Sequence, residues 1–142
     1  MQTVIARRSL LVFLWFGLVS ALAGGVLGVF LNGAGVPLRY LENTPFASYL
    51  IPGLLLGIVI GGTQAFAAIA VHRRAPHALI AAAVAGFGMI VWIFVEIAVI
   101  SEYSPLQTIY FSLGILELVG VLVLLGVWDP ALTAGSKRAP SV

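Results

Sequence analysis

The sequence predicts an all-α polytopic membrane protein, a bundle of four transmembrane helices with both ends of the chain on the cytoplasmic side. Three observations carry that expectation. Four apolar stretches, residues 9–31, 48–71, 78–100 and 105–128, each reach the ~20 residues that a helix needs to cross ~30 Å of hydrocarbon. Apolar residues fill 61% of the 142 positions and charged ones 8%, against about 25% charged in a soluble domain. Too little polar side chain remains to cover a water-facing surface. The basic residues also alternate with the spans: Arg7 and Arg8 precede the first, Arg73 and Arg74 separate the second and third, and Lys137 and Arg138 follow the fourth. Basic flanks stay cytoplasmic, so these pairs orient the bundle, with Arg39 alone on the far side.

The spans leave only short connections, and residues 1–142 read as a single integral membrane domain in the cell membrane, of the bacterial inner-membrane type. The net charge of +2 therefore marks topology and does not indicate a nucleic-acid surface. The expected partners are the lipid bilayer itself, with anionic headgroups at Arg73 and Arg74, and either further copies of the chain or another membrane protein. The absence of cysteine excludes disulfide frameworks, thiolate metal sites and cysteine nucleophiles.

The first span is rich in small residues. Gly17, Ala21 and Gly25 recur every fourth position, with Ser20, Gly24 and Gly28 in a second row; such rows allow close backbone approach between helices in lipid. Arg7-Arg8, the apolar run and Ala21-Leu22-Ala23 also have the three parts of a secretory signal cleaved after Ala23. The run continues to Leu31, which favours a retained span. Asn32-Gly33 should end the helix, since glycine accepts the left-handed conformation found there.

In the outer connection, Thr44 is expected to cap a helix whose first residue is Pro45. Gly53, Gly57 and Gly61 form another row in the second span, and Pro52 should kink that helix. The facing rows predict close packing of spans one and two, with a homo-oligomer contact as the rival use. The third span follows the His72–His77 turn. Ser104-Pro105-Leu106-Gln107 opens the fourth with a capping box. The tail, 131–142, has a composition suited to disorder. All four tyrosines (Tyr40, Tyr49, Tyr103, Tyr110) fall toward the outer side and Trp128 at the inner end, as interface anchors would.

Two acids, Glu96 and Glu117, lie inside spans, where ionisable groups are rare and usually face a bundle interior or cavity. Counting along the helices at 1.5 Å per residue puts Glu96 ~6 Å and Glu117 ~18 Å below the outer boundary. A difference of ~12 Å keeps the two from sharing a proton or an ion. Tyr110 is level with Glu96, and Gln64 is within reach of Glu117 if spans two and four meet. Gln107, Tyr110, Gly114 and Glu117 share one face of the fourth helix. Met89, Trp92, Glu96 and Tyr103 share one face of the third, and the two faces are expected to meet in the core.

His72 and His77 lack the further ligands a metal site needs. No histidine lies in a span to hold a haem, so no cofactor is expected. Ser20, Thr63 and Ser112 lack a membrane-embedded histidine or lysine base, and no catalytic residue is assigned. The leading expectation is a non-enzymatic accessory or structural membrane protein. The alternative is a small oligomeric transporter or channel, linked to protons or cations, using Glu117 and Glu96 along a polar route with Gln64, Tyr110 and Gln107.

Overall fold

A computed structural model of the chain describes residues 2–100 and 102–127. The expectations for Trp128, Lys137, Arg138 and the 131–142 tail concern residues outside these. Four helices dominate: α1 (Gln2–Leu31), α2 (Leu50–His72), α3 (Ala78–Ile100) and α4 (Pro105–Leu124). All four are long and apolar enough to cross a membrane, and no strand occurs among the described residues. They run alternately up and down, and each packs on its sequence neighbours, with α4 closing the ring against α1. One end of the bundle carries Arg7, Arg8, Arg73 and Arg74, and the other carries the connection between α1 and α2. Large apolar side chains point outward all round: Phe30 is 76% exposed, Ile80 72% and Ile58 68%. Water would be a poor solvent for that surface, and hydrocarbon a good one.

Helix α1 begins about two turns before the apolar run. Its early start places Arg7 beside the last turn of α2. There the Arg7 guanidinium donates to the carbonyls of Val71 (2.9 and 3.1 Å) and His72 (2.8 Å). Both carbonyls belong to the last turn, where the i+4 partner is missing; Val71 O also accepts from the Arg74 N–H at 3.3 Å, and a cation at a helix C-terminus opposes the helix dipole. Arg7 is thus more than a charge beside the membrane.

At its far end α1 stops at Asn32 (φ 45°) and Gly33 (φ 88°), and the Gly33 N–H donates to Leu27 O at 3.0 Å. That is the left-handed C-terminal motif the sequence predicts. The Asn32 side chain then accepts from the Tyr49 N–H (3.0 Å), and the Tyr49 hydroxyl donates to Pro37 O (3.0 Å). Tyr49 is buried, so it pins the connection from within and is no interface anchor. A Cβ on Gly33 would fall 2.6 Å from the Tyr49 ring. Gly33→Ala is therefore expected to loosen the connection, seen as faster proteolysis within residues 32–49; cleavage at the wild-type rate would show that the ring can move aside.

The expected helix start at Pro45 is not found. Thr44 Oγ1 does accept from the Phe46 N–H (3.1 Å), but it also donates back to Leu41 O (2.8 Å). These bonds close a local turn after the short 3₁₀ segment Leu38–Leu41. Helix α2 starts later, at Leu50, so Pro52 lies in its first turn, where a missing N–H breaks no bond. The irregularity comes one turn on, as a π segment over Leu55–Ile60. A row spaced every four residues drifts ~40° per step around a 3.6-residue helix. The wider π turn counters this drift and keeps Gly53, Gly57 and Gly61 facing α1.

Those glycines form three rungs with α1, and Gln64 makes a fourth contact below them. A Cβ on Gly28 would sit 2.8 Å from Gly53 Cα, and one on Gly25 2.8 Å from Gly57 Cα. Gly61 faces Ala21, and Gly17 faces the Gln64 side chain. A second close seam joins α3 to α4, where a Cβ on Gly114 would lie 2.8 Å from Gly86 O. At the Arg end the core is small and dense, with Ala67, Ala68, Ala82 and Ala85 packed around Leu10 and Leu14.

Candidate functional site

Helix α4 opens with the predicted capping box. The Ser104 hydroxyl accepts from the Leu106 N–H (3.4 Å), and Gln107 Oε1 accepts from the Ser104 N–H (3.0 Å). The same Gln107 turns its amide inward, where Nε2 donates to Glu96 Oε1 at 3.4 Å and to Glu102 O at 3.3 Å. Gln107 and Trp92, and not Tyr110, are thus the hydrogen-bond partners of Glu96. Residues 96 and 107 lie near the facing ends of α3 and α4, and the cap fixes the glutamine rotamer toward α3. Tyr110, one turn deeper, instead stacks on Phe16 of α1 with ring centroids 6.5 Å apart.

Deeper still, Gln64 Nε2 donates to Glu117 Oε2 at 3.1 Å. Both side chains are fully buried. Helices α2 and α4 stand diagonally across the ring, so this bond crosses the bundle axis. Gly17 makes room for it, because a Cβ there would lie 2.8 Å from the Gln64 amide. Gln64 Oε1 and Glu117 Oε1 have no partner among the described residues. Both are acceptors, and the acid form of Glu117 carries the one O–H that such a pair lacks.

Of the two faces expected to meet, Met89 is buried, and Gly114 packs on Gly86 and Ile90 of α3. Tyr103 departs from this pattern. It is exposed, its hydroxyl hydrogen-bonded to that of Thr108 at 2.7 Å. Glu117 turns toward α2 and not toward α3.

The connection-end half of the bundle holds a cavity of about 580 Å³. Its walls are residues 19–28 of α1, 52–56 of α2, 89–100 of α3 and 106–110 of α4, and the connection roofs it with Val36, Leu41 and Phe46. Almost all of the wall is apolar. Glu96, Gln107, Tyr110 and Trp92 supply polarity on the α3–α4 side, and Ser20 on α1. Gln64 and Glu117 do not line it. A layer of Ala21, Ile60, Met89 and Leu113 lies in the same middle part of the bundle. All three members of the second small row of α1, Ser20, Gly24 and Gly28, line this hollow, and Gly28 also joins the seam with α2. Sequence reasoning missed the cavity, since spacing reports which residues share a face and not how much space the faces enclose.

At the Arg end, Arg73 and Arg74 are exposed, and His77 stacks on Phe66 with centroids 5.5 Å apart. Among the described residues, no group of three His, Asp or Glu side chains could hold a metal ion.

These features define a four-helix bundle of membrane-protein type with one sealed polar bridge and one apolar chamber. No family model, curated protein or solved structure matches the chain.

Proposed function

We propose that the chain is a multi-pass protein of a bacterial inner membrane, with both termini in the cytoplasm, and that its role is non-enzymatic, as an accessory or structural component. The observation that carries this reading is the placement of Glu117. The most deeply set acid is spent on a helix-to-helix hydrogen bond with Gln64, inside the bundle and outside the cavity. A transported ion would need Glu117 to be reachable from a wet path. Among the described residues, none of the Arg-end half lines the chamber, and neither does Glu117. The basic clusters orient the bundle, and the exposed Arg73 and Arg74 suit anionic headgroups. The glycine rows are consumed within the chain, which leaves the outward apolar faces for a further copy or a partner membrane protein.

The transporter reading keeps one supporting observation, that Glu96 does border a chamber. Ion flux into liposomes separates the two. Wild-type protein is expected to conduct neither protons nor monovalent cations above empty vesicles, and Glu117→Gln to be indistinguishable from it. Flux in the wild type that Glu117→Gln abolishes would replace the accessory role with transport.

A further inference from the structure

We propose that the chamber is a binding site for a single-chain hydrophobic amine, its ammonium group held at Glu96 and its hydrocarbon body lying toward Met89 and Ile93. The inference goes beyond the accessory role and stands or falls separately from it.

Size and lining come first. A volume of about 580 Å³ falls inside the ~300–1,000 Å³ of small-molecule sites, which are mostly apolar with a few placed polar groups. The hollow is not closed, for Val19, Leu27, Val95 and Leu106 of its lining are exposed on the outer surface, and an apolar hollow does not hold water well. The Gly28–Gly53 seam of α1 and α2 is itself part of the wall, and the hollow lies between that pair and the α3–α4 residues that face it. An apolar occupant suits such a lining.

Charge selects the head. Glu96 is the one acid on the wall, and it has no cationic partner among the described residues. Its hydrogen bond from Gln107 is long, at 3.4 Å. Gln107 is already committed on both sides, donating to Glu96 and Glu102 O and accepting from Ser104. Trp92 on the same wall also donates to the Glu96 carboxyl, and the two carboxyl oxygens keep lone pairs beyond these two bonds for a further donor. Trp92, one turn before Glu96, and Tyr110, one turn after Gln107, add aromatic rings to the same wall. Carboxylate and aromatic faces together favour an ammonium over a neutral or anionic head. The arrangement is also oriented as an amphiphile would be. Glu96 lies near the connection end, and the wall below it, at Ile93, Met89 and Ala21, is apolar.

The test uses the full chain in lipid nanodiscs, with empty nanodiscs as the blank, and equilibrium binding of dodecylamine and dodecanol read by native mass spectrometry. Dodecylamine is expected to bind the wild type with one molecule per chain and dodecanol to bind more weakly. Glu96→Gln, nearly isosteric, should lose more than about tenfold in amine affinity, as removal of one partner of a partly buried charge pair does, and leave dodecanol unchanged. Ser20→Phe, which fills the hollow from α1, should reduce both. Equal affinity for amine and alcohol in the wild type would overturn the proposal without recourse to any variant. An amine affinity indifferent to Glu96→Gln, or no amine retained above the blank, would overturn it as well.

Discussion

Gly25→Leu is expected to prevent α1 and α2 from assembling, and Gly25→Ala to weaken them measurably. The reason is geometric. A Cβ at residue 25 would lie 2.8 Å from Gly57 Cα and 3.0 Å from Gly53 O. Both are backbone atoms of a helix and cannot rotate away as a side chain would. The helices must separate, which also opens the Gly28–Gly53 rung one turn along. For Gly25→Leu the cost should reach or exceed the ~3 kcal/mol upper range typical of overpacking. The seam is asymmetric, however. A Cβ on Gly57 would meet Gly25 Cα at 3.5 Å, an ordinary contact, so Gly57→Ala should be tolerated. Gly62 has nothing within 4 Å, so Gly62→Ala should stabilise α2 by up to about 1 kcal/mol through helix propensity. Unfolding in mild detergent followed by circular dichroism, with dispersity by size-exclusion chromatography, orders the four variants. If Gly25→Ala and Gly57→Ala prove equally stable, the close approach at Gly25 is not what holds the pair together.

That asymmetry marks the limit of what periodic spacing conveys. The rows Gly17, Ala21, Gly25 and Gly53, Gly57, Gly61 are readable as packing faces, because a small residue every fourth position has one physical use between helices in lipid. Which rung is tightest depends on the π segment at Leu55–Ile60, and no residue there announces a wider turn. Four apolar runs were enough to predict four long helices, and the 78–100 range agrees with α3 from end to end. Local chemistry gave the Ser104 cap and the Asn32-Gly33 stop, where one residue type answers one backbone need. It failed at Thr44-Pro45, where the same cap residues serve a closed turn, because the hydroxyl bonds back to Leu41 O. Depth counting put Gln64 within reach of Glu117, provided that the second and fourth spans meet. It also brought Tyr110 to the level of Glu96, although the hydrogen bonds there come from Gln107 and Trp92, since level alone does not decide rotamer. The chamber needed three dimensions, for its lining is drawn from all four helices and from the connection between α1 and α2.

Removing Glu117 without removing Gln64 is expected to cost more than removing both. Glu117→Leu leaves the Gln64 amide, fully buried beside Gly17, with donors and an acceptor facing apolar side chains. An orphaned buried polar group costs ~1–3 kcal/mol, and Gln64 cannot swing out to water from the middle of the bundle. Gln64→Leu should cost a similar amount by stranding the carboxyl. In the double variant Gln64→Leu/Glu117→Leu no polar atom is stranded, the volumes are close to those replaced, and leucine suits the neighbouring Leu113 layer. Replacing both partners by apolar groups of similar shape can be nearly neutral, so the double variant should recover most of what either single change loses. The four proteins of this cycle, unfolded reversibly in detergent micelles, give the coupling between the two sites. Recovery in the double variant supports a bridge across the α2–α4 diagonal that matters for fit and helix pairing more than for net stability. Additive losses would mean that Gln64 and Glu117 are each engaged elsewhere, and the sealed polar pair would no longer explain why an acid sits so deep in the bundle.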